Sequence, residues 1–517
     1  MKTNIYSILL PLALIVLLAT SCNKEDVNTG TAASTETFTG DDNSDFVDNE
    51  TWSASISITW NGTDVTVTGT ADGVSVANTN GYVTITSTAK NIEYIVSGSG
   101  TGQLNIYSDY KFKLSLEDLT LACSDGPAIN NQSSKTCYAV LGGSNTLSDG
   151  SSYASSSEDR KAAFFSEGQI CVSGTGTLNI TGNYKHALAS DDYIRLCSGT
   201  GTLNLTANVS DGMHANDGII INDGQLTIQA VGEGIQCDTS SIVITGGTID
   251  VTSSSDKGIL AYANIDISGG AITIQSKYKC IKTDSNLAIS GGTITAIATG
   301  SSSSGTPEGI EAKGTITITG GQIYAQANDD AINSGGDMTI SGGYVMAYST
   351  GNDGIDANGN CYIKGGVVYA IGASSPEVGI DANTEEGYKL YVEGGTLVTI
   401  GGLESGSSLS QNCYSASSLS KGTWYALYSD SNVALVFKTP SSLSASMLVV
   451  STGGTANLLS GVTTSGGTAM LNGYALSGTT VSGGSAVTLS AYSGGNAGGA
   501  EPGGGGPGDG GPGGGRP

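Results

Sequence analysis

Of the chain's 517 residues only 2 are His, 20 are Lys or Arg, 6 are Phe and 3 are Trp. Each shortage removes a class of reading. Against 46 Asp and Glu the few cations leave a formal net charge of −26. Nucleic acid and anionic membrane surfaces both need a basic face, so neither is expected as a direct partner. Runs of Ala, Leu, Glu and Lys long enough for a helix are missing after the first 20 residues. His186 and His214 stand alone in the sequence, with no nucleophile and base arranged around them. There is no CxxC, which speaks against zinc, and there is neither an EF-hand nor a calcium-binding nonapeptide repeat. What remains is Ser, Thr, β-branched residues and 78 Gly, the composition of short strands joined by tight turns.

The two ends stand apart from the rest. Lys2 precedes "ILLPLALIVLLAT", an apolar core too short to span a bilayer well. It leads to "LATSC", which resembles a bacterial lipobox with Cys22 as the lipidated residue, although Ala19 stands where Leu is commoner. The following "NKED" resembles the acidic signal that sends lipoproteins of the Bacteroidetes to the outer face of the outer membrane. Residues 1–21 therefore read as a lipoprotein signal peptide and 22–50 as a flexible tether of roughly 30 Å reach. Residues 494–517 are Gly and Pro without periodicity and read as a disordered tail.

Between the ends the chain repeats itself. Gly-Gly pairs begin at Gly246, Gly269, Gly291, Gly320, Gly342, Gly365 and Gly394, at intervals of 23, 22, 29, 22, 23 and 29. Around each pair apolar residues alternate strictly. In "TITITGGQIYAQA", Ile316, Ile318, Ile323 and Ala325 share one face, and Thr315, Thr317, Gln322 and Tyr324 the other. A third short strand such as "GIEA" completes each unit. Three such strands cannot bury their apolar face alone, but stacked units can. The fold expected is all-β: a parallel β-helix of about 22–23 residues per coil, since a β-propeller blade needs about 40. We expect N-terminal coils and a cap over 51–160, regular coils over 161–401, and a small β-domain or cap over 402–493.

The order "NGTDVTVTG", "DGPAIN", "NTLSDGSSY", "GTGTLNITGNYKHALASDD" and then tandem "ISGGTI" units resembles one family. It is the family of carbohydrate-binding β-helix proteins of plant-wall-degrading clostridia and gut bacteria. The likeness runs from about Trp52 to Pro440, with "NTLSDGSSY" its most specific segment. The resemblance implies a right-handed parallel β-helix, calcium sites, and binding of cellulose or acidic pectic polymers without catalysis.

The repeat also carries an acidic column. Aligned on Ile310, Ile332, Ile355 and Ile380, the next residues are Glu311, Asn333, Asp356 and Asp381. A second cluster, Glu308, Asp329, Asp330, Asp353 and Glu377, precedes those isoleucines. Coils lie about 4.8 Å apart. Two carboxylates at that spacing repel by under about 1 kcal/mol in water and by about 3–4 at an effective dielectric of 20. Hard oxygen ligands from successive coils suit Ca²⁺, which would cancel that repulsion. The candidate metal ligands are Glu308, Glu311, Asp329, Asp330, Asp353, Asp356 and Asp381. Asp-Gly and Asn-Gly are also ordinary turn chemistry, so no single Asp demands a metal.

For the glycan itself two surfaces are candidates. Tyr324, Tyr344 and Tyr369, with Met346 in the same column, face out of the stack and offer flat surfaces for sugar rings; exposed Tyr is equally a favoured strand residue. Lys279 and Lys282, in the locally basic "SKYKCIKTD", are placed to meet uronate groups. A lyase would instead draw its base from Arg195, Lys257, Lys277, Lys279 or Lys282. Eight Cys beyond Cys22 permit disulfides in an exported protein. Inward positions such as Cys237 and Cys361 favour buried free thiols instead. The reading is a monomeric, non-catalytic surface lipoprotein that binds polysaccharide. The competing readings are an adhesin or rigid stalk, and a calcium-dependent polysaccharide lyase.

Overall fold

The computed structural model describes residues 43–494 apart from 302 and 304. The signal peptide, Cys22, most of the tether and the Gly/Pro tail lie outside the described residues.

The chain winds into a right-handed parallel β-solenoid of about 13 turns, followed by a small antiparallel sheet. One turn shows how the sequence makes it. Ile310–Ala312 lies on the first face, Ile316–Ile318 on the second and Gln322–Ala327 on the third. Each pairs in parallel with the same strand of the next turn, for example Ile310 with Ile332, Ile316 with Met338 and Ile323 with Val345. The first faces form a 13-stranded sheet. The second and third faces belong to a 30-stranded sheet that is continuous through the ends of the solenoid.

The two glycines of each Gly-Gly pair do different work at the corner between the second and third faces. Gly321 has φ +87°, a conformation that L side chains rarely adopt. A Cβ on Gly320 would collide with the carbonyl oxygen of Ser290 in the preceding turn. The corner is tight because the next turn stacks directly on it.

Alternation does the rest. Ile235, Ile259, Ile281, Ile310, Ile332 and Ile355 are register partners in succession on the first face, and all are fully buried. Burying one such side chain stabilises by about 1.5–3 kcal/mol, and the column repeats that in every turn. The eight cysteines 123, 137, 171, 197, 237, 280, 361 and 413 are buried free thiols.

Both ends of the stack are closed by antiparallel pairing. At the start Asp64–Thr68 pairs antiparallel with Ala54–Gly62. At the far end Thr396–Ile400 pairs antiparallel with Leu448–Ser451. Exposed strand edges invite aggregation, and these antiparallel strands cover them. The six-stranded sheet within residues 424–486 then folds back over the third face.

One boundary differs from the sequence reading. Residues 43–50, assigned to the tether by their polar composition, form two short 3₁₀ turns docked on the second face. Asp45 is 2% exposed and meets Arg195 at 2.9 Å, while the Tyr138 hydroxyl donates to the Ser44 carbonyl at 2.5 Å. Composition describes a segment's average solubility; it does not register a single buried ion pair.

Candidate ligand-binding face

The register of the first face aligns its outward residues into one file. It runs His214, Gln236, Leu260, Lys282, Glu311, Asn333 and Asp356. Bridges from Ile355 to Ile380 and from Ile380 to Leu403 carry the file on to Asp381 and Glu404. Three residues earlier in each turn, at the corner leading into the strand, stands a second file: Asp211, Glu233, Lys257, Lys279, Glu308, Asp330 and Asp353. The same face therefore carries two adjoining rows rich in ionisable groups, and their character changes along the axis.

In the middle, cations and carboxylates neutralise one another. Lys257 lies 3.2 Å from Glu233 and 2.6 Å from Asp256. Lys279 lies 2.7 Å from Glu308 and 2.8 Å from Glu311, all three being less than a tenth exposed. Lys282 is 3.7 Å from Asp284 and 3.9 Å from Glu311. Burial pushes Glu308 up to about 8, a rise that Lys279 opposes and Glu311 reinforces. Glu308 and Glu311, expected as metal ligands, are thus partners of a buried lysine. Lys279 and Lys282, expected to meet uronates, are committed to protein carboxylates. The sequence spacing hid this because Lys279 and Glu308 are separated by an inserted loop, yet they occupy the same corner of successive turns.

Beyond Glu311 the cations stop. Among the described residues Asp329, Asp330, Asp353, Asp356 and Asp381 have no lysine, arginine or histidine within 4.0 Å. Main-chain and amide donors hold several of them in place. Asp330 accepts from the Asp353 N–H at 3.1 Å and from Asn333 Nδ2 at 3.1 Å. Asp353 accepts from the Val378 N–H at 2.5 Å, and Asp329 from Asn352 Nδ2 at 2.8 Å. Burial first, and the neighbouring carboxylates second, raise Asp330 well above the usual range. Burial, with Asp356 and Glu377 beside it, raises Asp353 likewise, against the Val378 hydrogen bond. Burial and then Asp329 and Glu377 lift Asp356 to about 7; burial and then Asp353 lift Asp381 to about 10. Burial and mutual repulsion thus disfavour the ionised forms of Asp330, Asp353, Asp356 and Asp381, and a bound cation would oppose that. The donors of this acidic ladder are hard oxygens, the type that Ca²⁺ takes.

The aromatic row is placed differently from expectation. Tyr324 and Tyr369 do point out of the solenoid, but they are 1% and 0% exposed, as is Met346 at 0%. The C-terminal sheet lies on them. Tyr324 stacks on Tyr474 at 5.9 Å, and Tyr369 meets Phe437 edge-on at 5.2 Å. The Tyr369 hydroxyl donates to the Lys438 carbonyl at 3.1 Å. These side chains form the core between the third face and its cover, and sugars have no access to their faces. Tyr344, 39% exposed, remains open.

At the opposite end of the same face lies a group that the sequence reading left unconnected. His186 and His214 stack with ring centroids 4.2 Å apart, and Asp211 Oδ2 lies 3.0 and 2.9 Å from their Nδ1 atoms. The signal was available: "SDGMHA" follows the same repeat as "DDAINS", which puts Asp211 and His214 into the two files. Among the described residues, this is the one place where three His, Cys, Asp or Glu ligand atoms lie within 4.8 Å of one another.

No curated protein matches the chain. A solved structure of a polysaccharide lyase-like protein from C. thermocellum, a gadolinium derivative, aligns with 69% of this chain and 97% of its own at 17% identity, with a TM-score of 0.26. The family model described as carbohydrate-binding domain-containing protein matches residues 79–354. That segment takes in the histidine pair, the lysine-neutralised middle and the ladder as far as Asp353. It is more than half of the chain, and the chain belongs to this family of carbohydrate-binding domain-containing proteins.

Proposed function

We propose that the protein is a non-catalytic polysaccharide-binding lipoprotein, anchored at the cell surface through Cys22, whose first face takes an acidic glycan with Ca²⁺ shared between the two. The observation that carries this reading is the ladder of Asp329, Asp330, Asp353, Asp356 and Asp381, without lysine or arginine, in a carbohydrate-binding family. Carboxylates from neighbouring turns of this ladder would hold such cations together with oxygens of the glycan, since no three of them lie within 4.8 Å of one another; the ions supply the positive charge that both the ladder and a polyuronate lack. The ladder repeats along one straight face, as the acidic groups of a polymer do. Burial of Tyr324 and Tyr369 takes two of the three tyrosines expected to stack on sugars out of reach, which weakens the case for a neutral glucan relative to the acidic class.

Binding is favoured over lyase chemistry by the state of the candidate bases. Four of the five candidates are engaged: Arg195 is 1% exposed and paired with Asp45, and Lys257, Lys279 and Lys282 are all in ion pairs, while Lys277 alone has no ion pair among the described residues. A proton-abstracting base has to be free to accept.

The test is affinity electrophoresis through gels containing polygalacturonate, with Ca²⁺ and then with EGTA. The protein should be retarded only with Ca²⁺, and Asp353→Asn and Asp356→Asn should each weaken retardation. No retardation in either gel would remove the acidic-glycan reading and leave the rigid stalk. Ultraviolet-absorbing unsaturated ends in the Ca²⁺ incubation would establish a lyase instead.

A further inference from the structure

His186, Asp211 and His214 take no part in the acidic ladder. They lie at the start of His186–Ser190 and around Met213–Ala215, in two consecutive turns of the first face. Their side chains are buried, at 2%, 3% and 6% residue exposure.

The hydrogen-bond requirements of this group conflict. A neutral imidazole has one N–H and one lone pair. His214 faces a carboxylate on both sides, with Asp211 Oδ2 2.9 Å from Nδ1 and Asp238 Oδ2 3.3 Å from Nε2. If Nε2–H donates to Asp238, the Nδ1 lone pair faces Asp211. The Asp211 N–H points at His186 Nδ1 from 3.4 Å, which calls for a lone pair there as well. Asp211 Oδ2 stands 3.0 Å from that same nitrogen. His186 Nε2 is buried with no hydrogen-bond partner. With that tautomer three lone pairs converge on a buried space, and a cation, or a proton shared between the rings and Asp211, relieves them.

We infer that His186, Asp211 and His214 form a site for a divalent transition metal of the Zn²⁺ or Ni²⁺ kind, coordinated by the two Nδ1 atoms and Asp211 Oδ2. Imidazole donors select such ions over Ca²⁺. A tetrahedral ion with bonds of about 2.0–2.1 Å sets its ligands about 3.3 Å apart, so the 2.9 and 3.0 Å contacts open by a few tenths of an ångström and the two rings, stacked with 27° between their planes, turn until both Nδ1 lone pairs meet the ion. The surroundings resemble a prepared site. Asp211 Oδ1 is held by the Glu233 N–H at 3.0 Å and Ser210 Oγ at 3.2 Å. Asp238 orients His214, as carboxylates commonly do for a ligating histidine. Three protein ligands leave one position for water or for a carboxylate brought by a bound molecule. Because His186 belongs to one turn and the other two ligands to the next, the ion also ties turn to turn. The absence of CxxC removes only thiolate zinc; here the register of the turns assembles an imidazole site.

Co²⁺ titration of the full chain in excess Ca²⁺, followed by visible absorption, tests this. The expected result is one Co²⁺ per chain with the strong d–d bands of a low-coordinate site, displaced by one equivalent of Zn²⁺ and with no thiolate charge-transfer band. His186→Gln and His214→Gln should abolish the bands. Asp238→Asn changes a side chain 39% exposed, carries little risk to folding, and should weaken affinity about 10–100-fold. Asp356→Asn should leave the bands unchanged. Zn²⁺ should also raise the melting temperature of the wild type more than that of Asp238→Asn. No Co²⁺ bands in the wild type would overturn the inference. So would bands that persist in both glutamine variants, or equal affinity in Asp238→Asn; the group would then be a proton-sharing hydrogen-bond cluster.

Discussion

Lys279 neutralises two buried carboxylates at once, and Lys279→Met separates that role from packing. Met keeps most of the stem and removes the charge. Glu308 and Glu311, at 4% and 8% exposure, would be left facing each other without the ammonium that now lies 2.7 and 2.8 Å away. Breaking a buried ion pair from one side costs about 3–5 kcal/mol, because the remaining charge stays desolvated. A fold of roughly 450 ordered residues has an unfolding entropy near 1 kcal/mol/K at about 2.1 cal/mol/K per residue. The melting temperature should therefore drop by about 3–5 °C at pH 8, measured by circular dichroism in EDTA. The deficit has a defined pH course. Burial already raises Glu308 in the folded state and Lys279 opposes that rise, so without the lysine the folded state keeps more firmly a proton that the unfolded chain releases above about pH 4.3. Stability is then lost as pH rises, and the deficit should be small at pH 5 and largest at pH 9. The triple variant Lys279→Met, Glu308→Gln, Glu311→Gln should recover most of the loss, since removing all the charges leaves none buried alone. An unchanged melting temperature in Lys279→Met, or no recovery in the triple variant, would refute the reasoning.

Two further outcomes follow from the same physics. In EDTA the wild type should lose stability as pH rises from about 4 through 7. The folded state holds Asp356 protonated to about 7 and Asp381 to about 10, whereas unfolded aspartates ionise near 3.9; melting temperatures that rise over that range would contradict this. Tyr369→Ala should cost about 3–5 kcal/mol by opening a cavity under the C-terminal sheet, while leaving polygalacturonate retardation intact; a loss of retardation with an unchanged melting curve would return Tyr369 to the binding surface.

What the sequence determined about this protein is everything that a turn of the solenoid decides for itself. Alternation placed Ile310, Ile316 and Ile323 inward, and Gly-Gly placed the corner, because side-chain direction and φ are properties of the local backbone. The interval between repeats then fixed which residues stack, so the acidic ladder was legible as a column before any coordinates. Tertiary structure decided what lies on top of each column and what reaches it from elsewhere. Tyr324 and Tyr369 face outward as their alternation requires, yet a sheet more than 50 residues later in the chain covers them. Glu308 and Glu311 are acidic like the rest of the ladder, yet a lysine one turn earlier consumes them. His186 and His214 are 28 residues apart and meet at 4.2 Å because the register that pairs Ala189 with His214 sets His186 opposite Asp211, at the corner beside the strand position of His214. The period gives position along the axis; only the packed structure supplies the charge and the cover on either side.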